Sequence, residues 1–156
     1  NTHCHIDHIL GNKYCVEQYQ LELSYHEKEE VVLDSGYFTA RTYGLNYDPS
    51  PKAHFHISES SGFEFGGEQV KLLFTPGHSP GSLSFYFEKS AFVIAGDVLF
   101  FQSIGRTDLP GGDYDTLINS ISKEMFSLPN NTVVYSGHGP QTTIGHEKQF
   151  NPFLNS

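Results

Sequence analysis

Tryptophan is absent from this sequence of 156 residues, which has only one methionine and two cysteines. Two cysteines are far too few for the disulfide framework that holds small secreted domains together. We therefore expect Cys4 and Cys15 to be free, buried thiols, which favours the reducing environment of the cytoplasm. A secretory signal would show as a basic segment followed by an apolar one, and the sequence contains no such pattern.

Long apolar runs and positive charge are also scarce. No apolar stretch approaches the roughly 18–20 residues of a membrane-spanning helix, so we expect no transmembrane segment and no membrane partner. Nine Lys and Arg residues stand against 18 Asp and Glu residues, for a formal net charge of −9. Because such a surface repels a phosphate backbone and no basic run occurs, the composition argues against nucleic acid as a partner.

The length fits one domain over residues 1–156, with a core rich in Phe and Tyr. Helical spacing predicts helices at 9–19, 27–33 and 113–126, the last with Asp113 as its N-cap. Loop-like stretches are predicted at 34–52 and 102–112. Strands in runs, rather than in regular βαβ alternation, indicate an α+β layered domain. Short β-branched or aromatic runs predict these strands at 21–25, 55–58, 63–65, 70–75, 82–87, 92–95 and 132–135.

Histidine and aspartate are concentrated at the start of the chain, where His3, His5, Asp7 and His8 fall within six residues. Residues i and i+2 of an extended segment point the same way, so His3 and His5 can hold one ion from one side. Asp7 and His8 come after the chain has turned, so they can face a second ion beside the first. Cys4 alternates with the two histidines and is therefore expected to face away, as a small buried spacer.

Three more candidate ligands occur downstream, each next to a glycine. Loops at strand ends present side chains from a rigid scaffold. Neutral imidazole and carboxylate suit zinc, iron or manganese, and a carboxylate such as Asp97 can bridge two ions. The pattern therefore predicts a metal centre that includes His78, Asp97 and His138. The remaining four histidines are expected to be surface or hydrogen-bonded residues, namely His26, His54, His56 and His146.

This ligand pattern resembles the metallo-β-lactamase fold superfamily, and the resemblance covers nearly the whole chain. It implies a four-layer αβ/βα sandwich and a centre of two divalent metal ions. Zinc is the expected metal, with iron and manganese as alternatives. Carried over position by position, the resemblance assigns His3, His5 and His78 to the first ion, Asp7, His8 and His138 to the second, and Asp97 as the bridge.

Several segments look like the glyoxalase II (hydroxyacylglutathione hydrolase) branch of that superfamily, especially its short bacterial form. This resemblance implies a dinuclear hydrolase that cleaves a small-molecule thioester such as S-lactoylglutathione by attack of a metal-bound hydroxide. Asp7 would be catalytic, because its carboxylate would accept a hydrogen bond from that hydroxide. The segments that carry the resemblance are 96–100, 105–109, 136–140, 143–145 and 151–153.

Arg106 is the candidate substrate-binding residue, because a guanidinium can hold a carboxylate of a glutathione-like group in a bidentate contact. The alternative is an exposed loop arginine in a local salt bridge, and the sequence leaves both open. Longer glyoxalase II enzymes carry Lys and Tyr where this chain has Arg106 and Asp108. The positive charge is kept, whereas the tyrosine contact to glutathione is missing.

Two other functions stay open. An iron-dependent sulfur dioxygenase that acts on glutathione persulfide is one, because the related family keeps the same motif. A non-catalytic product is the other, either a metal-binding or an inert fragment of one of these enzymes. In the fold that the chain resembles, several strands precede the histidine motif, whereas only Asn1 and Thr2 precede it here. We therefore expect an N-terminally truncated piece of a longer enzyme, of unknown oligomeric state.

Overall fold

Helices dominate the first third of the chain, and strands dominate the rest of it. The structure is a computed structural model that describes residues 1–154. In chain order its elements are α1 (Ile6–Ile9), α2 (Asn12–Tyr19), β1 (Ser24–Tyr25), α3 (Glu30–Thr42), β2 (Phe55–His56), β3 (Phe63–Phe65), β4 (Glu68–Phe74), β5 (Leu83–Phe87), β6 (Phe92–Gly96), β7 (Leu99–Phe100), β8 (Ser103–Ile104), α4 (Tyr114–Ser120), β9 (Val133–Ser136), β10 (Thr142–Thr143) and α5 (Ile144–Phe150).

A six-stranded mixed sheet is the centre of the fold. Its strands lie in the spatial order β10-β9-β6-β5-β4-β3. The β6–β9 pair is parallel, and the other four pairs are antiparallel. The β6 and β9 strands therefore end at the same edge of the sheet, where Gly96 pairs with Ser136. This edge brings the chain segments after β6 and after β9 close together.

The main core forms where one face of this sheet meets α4. Asp113 is the N-cap of α4 as predicted, because its side chain accepts a hydrogen bond from the backbone N–H of Thr116 at 2.8 Å. A π-helical turn, Ile121–Met125, continues the helix. The following residues are fully buried or nearly so and belong to this cluster: Val93, Ala95, Val98, Leu99, Leu117, Ile121, Met125, Val134 and Ile144.

The predicted loop at 34–52 is wrong in its first part, because α3 continues to Thr42. Gly36 weakened the helical pattern, yet it lies inside this helix. A Cβ at Gly36 would lie 3.1 Å from the side chain of Ile9 and 3.3 Å from the hydroxyl of Tyr47. The glycine therefore allows α3 to pack closely on α1 and on the segment around Tyr47, and tertiary packing outweighs its low helix propensity.

Two further expectations need correction, and one helix was missed. The predicted helix at 9–19 is two helices, α1 and α2, separated at Leu10 and Gly11. Cys15 is exposed rather than buried, because α2 buries none of its side chains. Helix α5, at the end of the described chain, was not predicted. Within residues 1–154, no helix combines the length and the apolar character that a membrane crossing requires.

Candidate metal centre

The histidine motif lies at the point where an extended segment becomes a helix. His5 is extended, with φ −63° and ψ 154°, and α1 begins at Ile6. His3 and His5 therefore precede the turn, and Asp7 and His8 lie within the first turn of α1, as predicted. Cys4 points away into the core with Ile9 and Tyr25. Burial raises the pKa of the Cys4 thiol, and the nearby Glu29 carboxylate adds to this effect.

Three imidazoles converge to form the first ligand group, His3, His5 and His78. Nδ1 of His5 lies 2.8 Å from Nε2 of His78, and Nε2 of His3 lies 3.2 Å from that same atom. His78 reaches this point through a turn at Gly77, whose φ is +127°. A Cβ there would lie 2.3 Å from the backbone nitrogen of Leu117, so only glycine fits.

The second ligand group, Asp7, His8 and His138, lies on the more exposed side of the centre. Oδ2 of Asp7 lies 3.0 Å from Nε2 of His138 and 3.6 Å from Nε2 of His8. His138 comes after β9 and Gly137, so the parallel β6–β9 pairing brings it to the centre. The Asp7 and His138 side chains are 46% and 57% exposed, which marks this side as the one open to solvent.

Asp97 lies between the two ligand groups, directly after β6. Its Oδ1 is 3.4 Å from Nε2 of His8, and its Oδ2 is 3.6 Å from Nε2 of His78 and 3.4 Å from Nε2 of His138. One carboxylate therefore faces nitrogen atoms of both groups. This arrangement is compatible with a bridging ligand, and the bridging role of Asp97 stays a prediction.

Hydrogen bonds on the outer side of the imidazoles set their orientation. Nδ1 of His78 donates to the carbonyl oxygen of Arg106 at 2.8 Å. Because this proton is on Nδ1, the neutral ring keeps a lone pair on Nε2, which faces the centre. Nδ1 of His3 contacts the hydroxyl of Thr2 at 3.1 Å, which leaves its Nε2 facing the same point.

The electrostatics differ between the two groups. Burial lowers the pKa of His3 and of His78, and burial together with His78 lowers the pKa of His5 to about 4. These imidazoles are therefore neutral at pH 7 and can donate lone pairs. Burial also opposes the charge on His8, but the Asp97 and Asp7 carboxylates outweigh it and raise the pKa of His8. Burial would raise the pKa of Asp97, but the histidines around it lower that pKa.

The residues fit a pair of divalent cations. Nε2 of His8 and Oδ1 of Asp97 are buried, and neither has a hydrogen-bond partner among the described residues. Buried polar atoms normally have hydrogen-bond partners. These two unsatisfied atoms lie 3.4 Å apart, a separation that suits a cation bound by both. A mixed set of imidazole nitrogens and carboxylate oxygens is the donor chemistry of zinc and iron sites.

The Arg106 side chain is paired locally rather than free. Its Nε and an Nη donate to the two oxygens of Asp108 at 2.7 and 2.8 Å, and both side chains are largely exposed. This is the local salt bridge that the sequence left open. Its main-chain carbonyl, in contrast, supports the centre by orienting His78. A substrate contact of the guanidinium stays a prediction.

The four remaining histidines lie outside both ligand groups. His26 accepts from the backbone N–H of Lys28 and stacks on Phe74. The other three also have partners in the fold. His54 accepts from the Leu23 backbone N–H, His56 contacts the Glu30 carboxylate, and His146 packs on the rings of Phe101 and Phe150.

Two residues beside the first ligand group were not predicted from the sequence, Glu29 and Ser79. The Ser79 hydroxyl, directly after His78, donates to the carboxylate of Glu29. Glu29 carries no sequence signal of this role, because it lies among several acidic residues that resemble a solvated helix face. A serine next to a candidate ligand, as at Ser79, was the one available hint.

Comparison with known proteins identifies the class. The sequence model of the metallo-β-lactamase superfamily matches residues 1–138. The chain belongs to this superfamily of metal-binding proteins, and its mixed α+β architecture is the fold of that family. The resemblance inferred from the ligand pattern is confirmed.

Several relatives are similar over most of their length. The probable metallo-hydrolase YqgX of Bacillus subtilis is 40% identical over 155 residues, which cover 99% of this chain and 74% of the relative. The hydroxyacylglutathione hydrolase GloC of Haemophilus influenzae is 37% identical over 157 residues, with 99% and 74% covered. TTHA1623, whose crystal structure is of a di-iron-bound form, is 38% identical in sequence to this chain, and the two structures have a TM-score of 0.91. The match covers 98% of this chain and 75% of the TTHA1623 chain.

Proposed function

We propose that this chain is a dinuclear metal-dependent hydrolase that cleaves a thioester such as S-lactoylglutathione. The observation that carries the proposal is the position of Asp97, whose carboxylate faces nitrogen atoms of both ligand groups. The similarity to the hydroxyacylglutathione hydrolase of Haemophilus influenzae supports the thioester substrate. Two divalent ions, with zinc as the expected metal, would be held by His3, His5 and His78 on one side and by Asp7, His8 and His138 on the other.

The roles of the ligand residues follow from how deeply each of them is buried. When bound, the ions would polarise the substrate carbonyl and lower the pKa of water at the centre to about 7. The first ligand group is more deeply buried, so it closes the centre from the protein side. Asp7 and His138 are about half exposed, so the substrate carbonyl would approach from their side. The Asp7 carboxylate would accept a hydrogen bond from the attacking water and orient it toward that carbonyl.

The departing thiol needs little help from the protein. Thiols have a pKa of about 8.5, so a thiolate leaves without a strong general acid. Arg106 would bind a carboxylate of the thiol portion by exchanging its contact with Asp108 for one with the substrate. Because that ion pair is exposed, it contributes little stability and costs little to exchange.

Hydrolysis of S-lactoylglutathione by the metal-loaded protein tests this proposal. We expect two metal ions per chain and a kcat/KM of at least about 10⁴ M⁻¹s⁻¹. Nitrocefin is assayed in parallel as a substrate of a different class, a β-lactam. Asp7→Asn should lower kcat strongly, and Arg106→Met should raise KM with little change in kcat. A fully metal-loaded protein that leaves the thioester intact would overturn the proposal.

An iron-dependent sulfur dioxygenase is the second candidate. The di-iron-bound form of TTHA1623, 38% identical to this chain, favours iron as a metal that this type of centre accepts. The decisive assay measures oxygen consumption with glutathione persulfide alongside thioester hydrolysis. One iron per chain, oxygen uptake and no hydrolysis would replace the hydrolase proposal with this one. A metal-loaded protein with neither activity would support the inactive fragment.

A further inference from the structure

Glu29 is a fully buried carboxylate beside the centre. It ends the 3₁₀ turn Glu27–Glu29, and no cation among the described residues lies within ion-pair distance of it. Its oxygens accept hydrogen bonds instead. Oε2 accepts from the Cys4 backbone N–H at 2.8 Å and from the Ser79 hydroxyl at 2.8 Å, and Oε1 accepts from the Gly81 backbone N–H and from the same hydroxyl, both at 2.6 Å.

These donors belong to the two loops that carry the first ligand group. Cys4 lies between His3 and His5, and Ser79 comes directly after His78. The Glu29 side chain therefore links the two loops. The packing around it is close, since a Cβ at Gly81 would lie 2.9 Å from its Cγ.

We propose that Glu29 is the positioning residue of the first ligand group and sets the distance between the His3–His5 segment and His78. This inference rests on the proposed dinuclear centre. A carboxylate is needed because every group that faces it is a donor. An amide at the same position would direct its NH₂ at the N–H of either Cys4 or Gly81, whichever way it is oriented. One buried backbone donor would then lack an acceptor, and the two loops would separate.

Zinc binding to the first ligand group alone is the test. The His138→Ala protein serves as the background, because it removes one of the two histidines of the second ligand group and leaves His3, His5 and His78. Competition with a chromophoric chelator gives the zinc affinity of the metal-free protein. We expect Glu29→Gln to weaken this affinity by about 10–100-fold, the usual effect of losing a residue that orients metal ligands. The visible absorption of bound Co²⁺ should change with it.

Glu147→Gln is the matched control. Glu147 is another fully buried carboxylate, and its Oε2 accepts from the Gln102 backbone N–H at 3.0 Å and from the Asn151 side chain at 2.8 Å. Both of these donors lie outside the loops of the first ligand group. The substitution should lower the stability of the fold to a similar extent and leave the zinc affinity within about threefold, because the Glu147 network is separate from the loops that hold the ligands.

Ser79→Ala provides a second variant in case Glu29→Gln does not fold. It removes the hydroxyl that contacts both oxygens of Glu29, and we expect about fivefold weaker zinc binding. Unchanged zinc affinity in Glu29→Gln, or an equal loss in Glu147→Gln, would overturn the inference and leave the proposed function standing. A His138→Ala background and a native protein that both bind no metal would overturn the proposed function itself.

Discussion

Gly137 offers the sharpest test of the centre, because it has room for a hydrogen atom and nothing larger. A Cβ added there would lie 2.1 Å from Oδ1 of Asp97 and 2.8 Å from Cε1 of His8. The φ angle of Gly137 is not in the left-handed region, so alanine meets no backbone strain. Gly137→Ala therefore acts through the clash with these two side chains alone.

The distances set the size of the effect. Real Cβ atoms essentially never approach another heavy atom within 3.0 Å, so Oδ1 of Asp97 must move by at least about 0.9 Å. Asp97 faces both ligand groups, so this movement would disturb the positions of the two ions that the proposed function requires. Misplacement by about 1 Å can cost on the order of 10²-fold in rate. We expect thioester hydrolysis to fall about 100-fold and the metal content to fall below that of the native protein.

Gly139→Ala is the control, two residues further along the same turn. Gly139 has a φ of +79°, and apart from its two chain neighbours no residue among 1–154 has an atom within 4 Å of an added Cβ. Alanine there costs about 1–2 kcal/mol in backbone strain, comparable with the overpacking cost of about 1–3 kcal/mol at Gly137. Steady-state kinetics, metal analysis and denaturant unfolding separate the two effects. Full activity in Gly137→Ala, or an equal loss in Gly139→Ala, would refute the reasoning.

Three further predictions concern protonation, thiol reactivity and packing. Since the native pKa of His5 is about 4 and its ordinary value is 6.5, the unfolded chain binds more protons between these values. The free energy of unfolding of the metal-free protein should therefore decrease as the pH falls from 6.5 toward 4, and urea titrations that show no such decrease would contradict this. A thiol reagent should modify the exposed Cys15 in the native protein and reach Cys4 only after denaturation; rapid native modification of both would be inconsistent with the fold. Gly77→Ala would place a Cβ 2.3 Å from the backbone of Leu117 at a φ of +127°, so we expect a loss of about 3 kcal/mol in denaturant unfolding, and unchanged stability would disprove the packing.

The fold family could be predicted from the sequence because the ligand pattern resembles that of a known superfamily, and part of this pattern is local. The alternation of His3 and His5, with Asp7 and His8 placed after a turn, depends only on neighbouring residues. The strand signals were similarly local: β3 has the predicted bounds, and β4, β5 and β6 differ by one or two residues. The course of α3 past Gly36 could not be predicted, because it depends on contact with Ile9 and Tyr47, which are distant in sequence.

The sequence by itself determined which side chains are candidate metal ligands, because residue type and spacing carry that information. Only the tertiary structure decided how they are held. The parallel pairing of β6 with β9 brings Asp97 and His138 to the same edge, and Glu29 ties together two loops that are remote from one another along the chain. Whether Arg106 pairs with Asp108 or with a ligand depends on loop geometry rather than residue type. Spacing along the chain specifies the direction in which neighbouring side chains point, whereas packing sets the distances between remote segments.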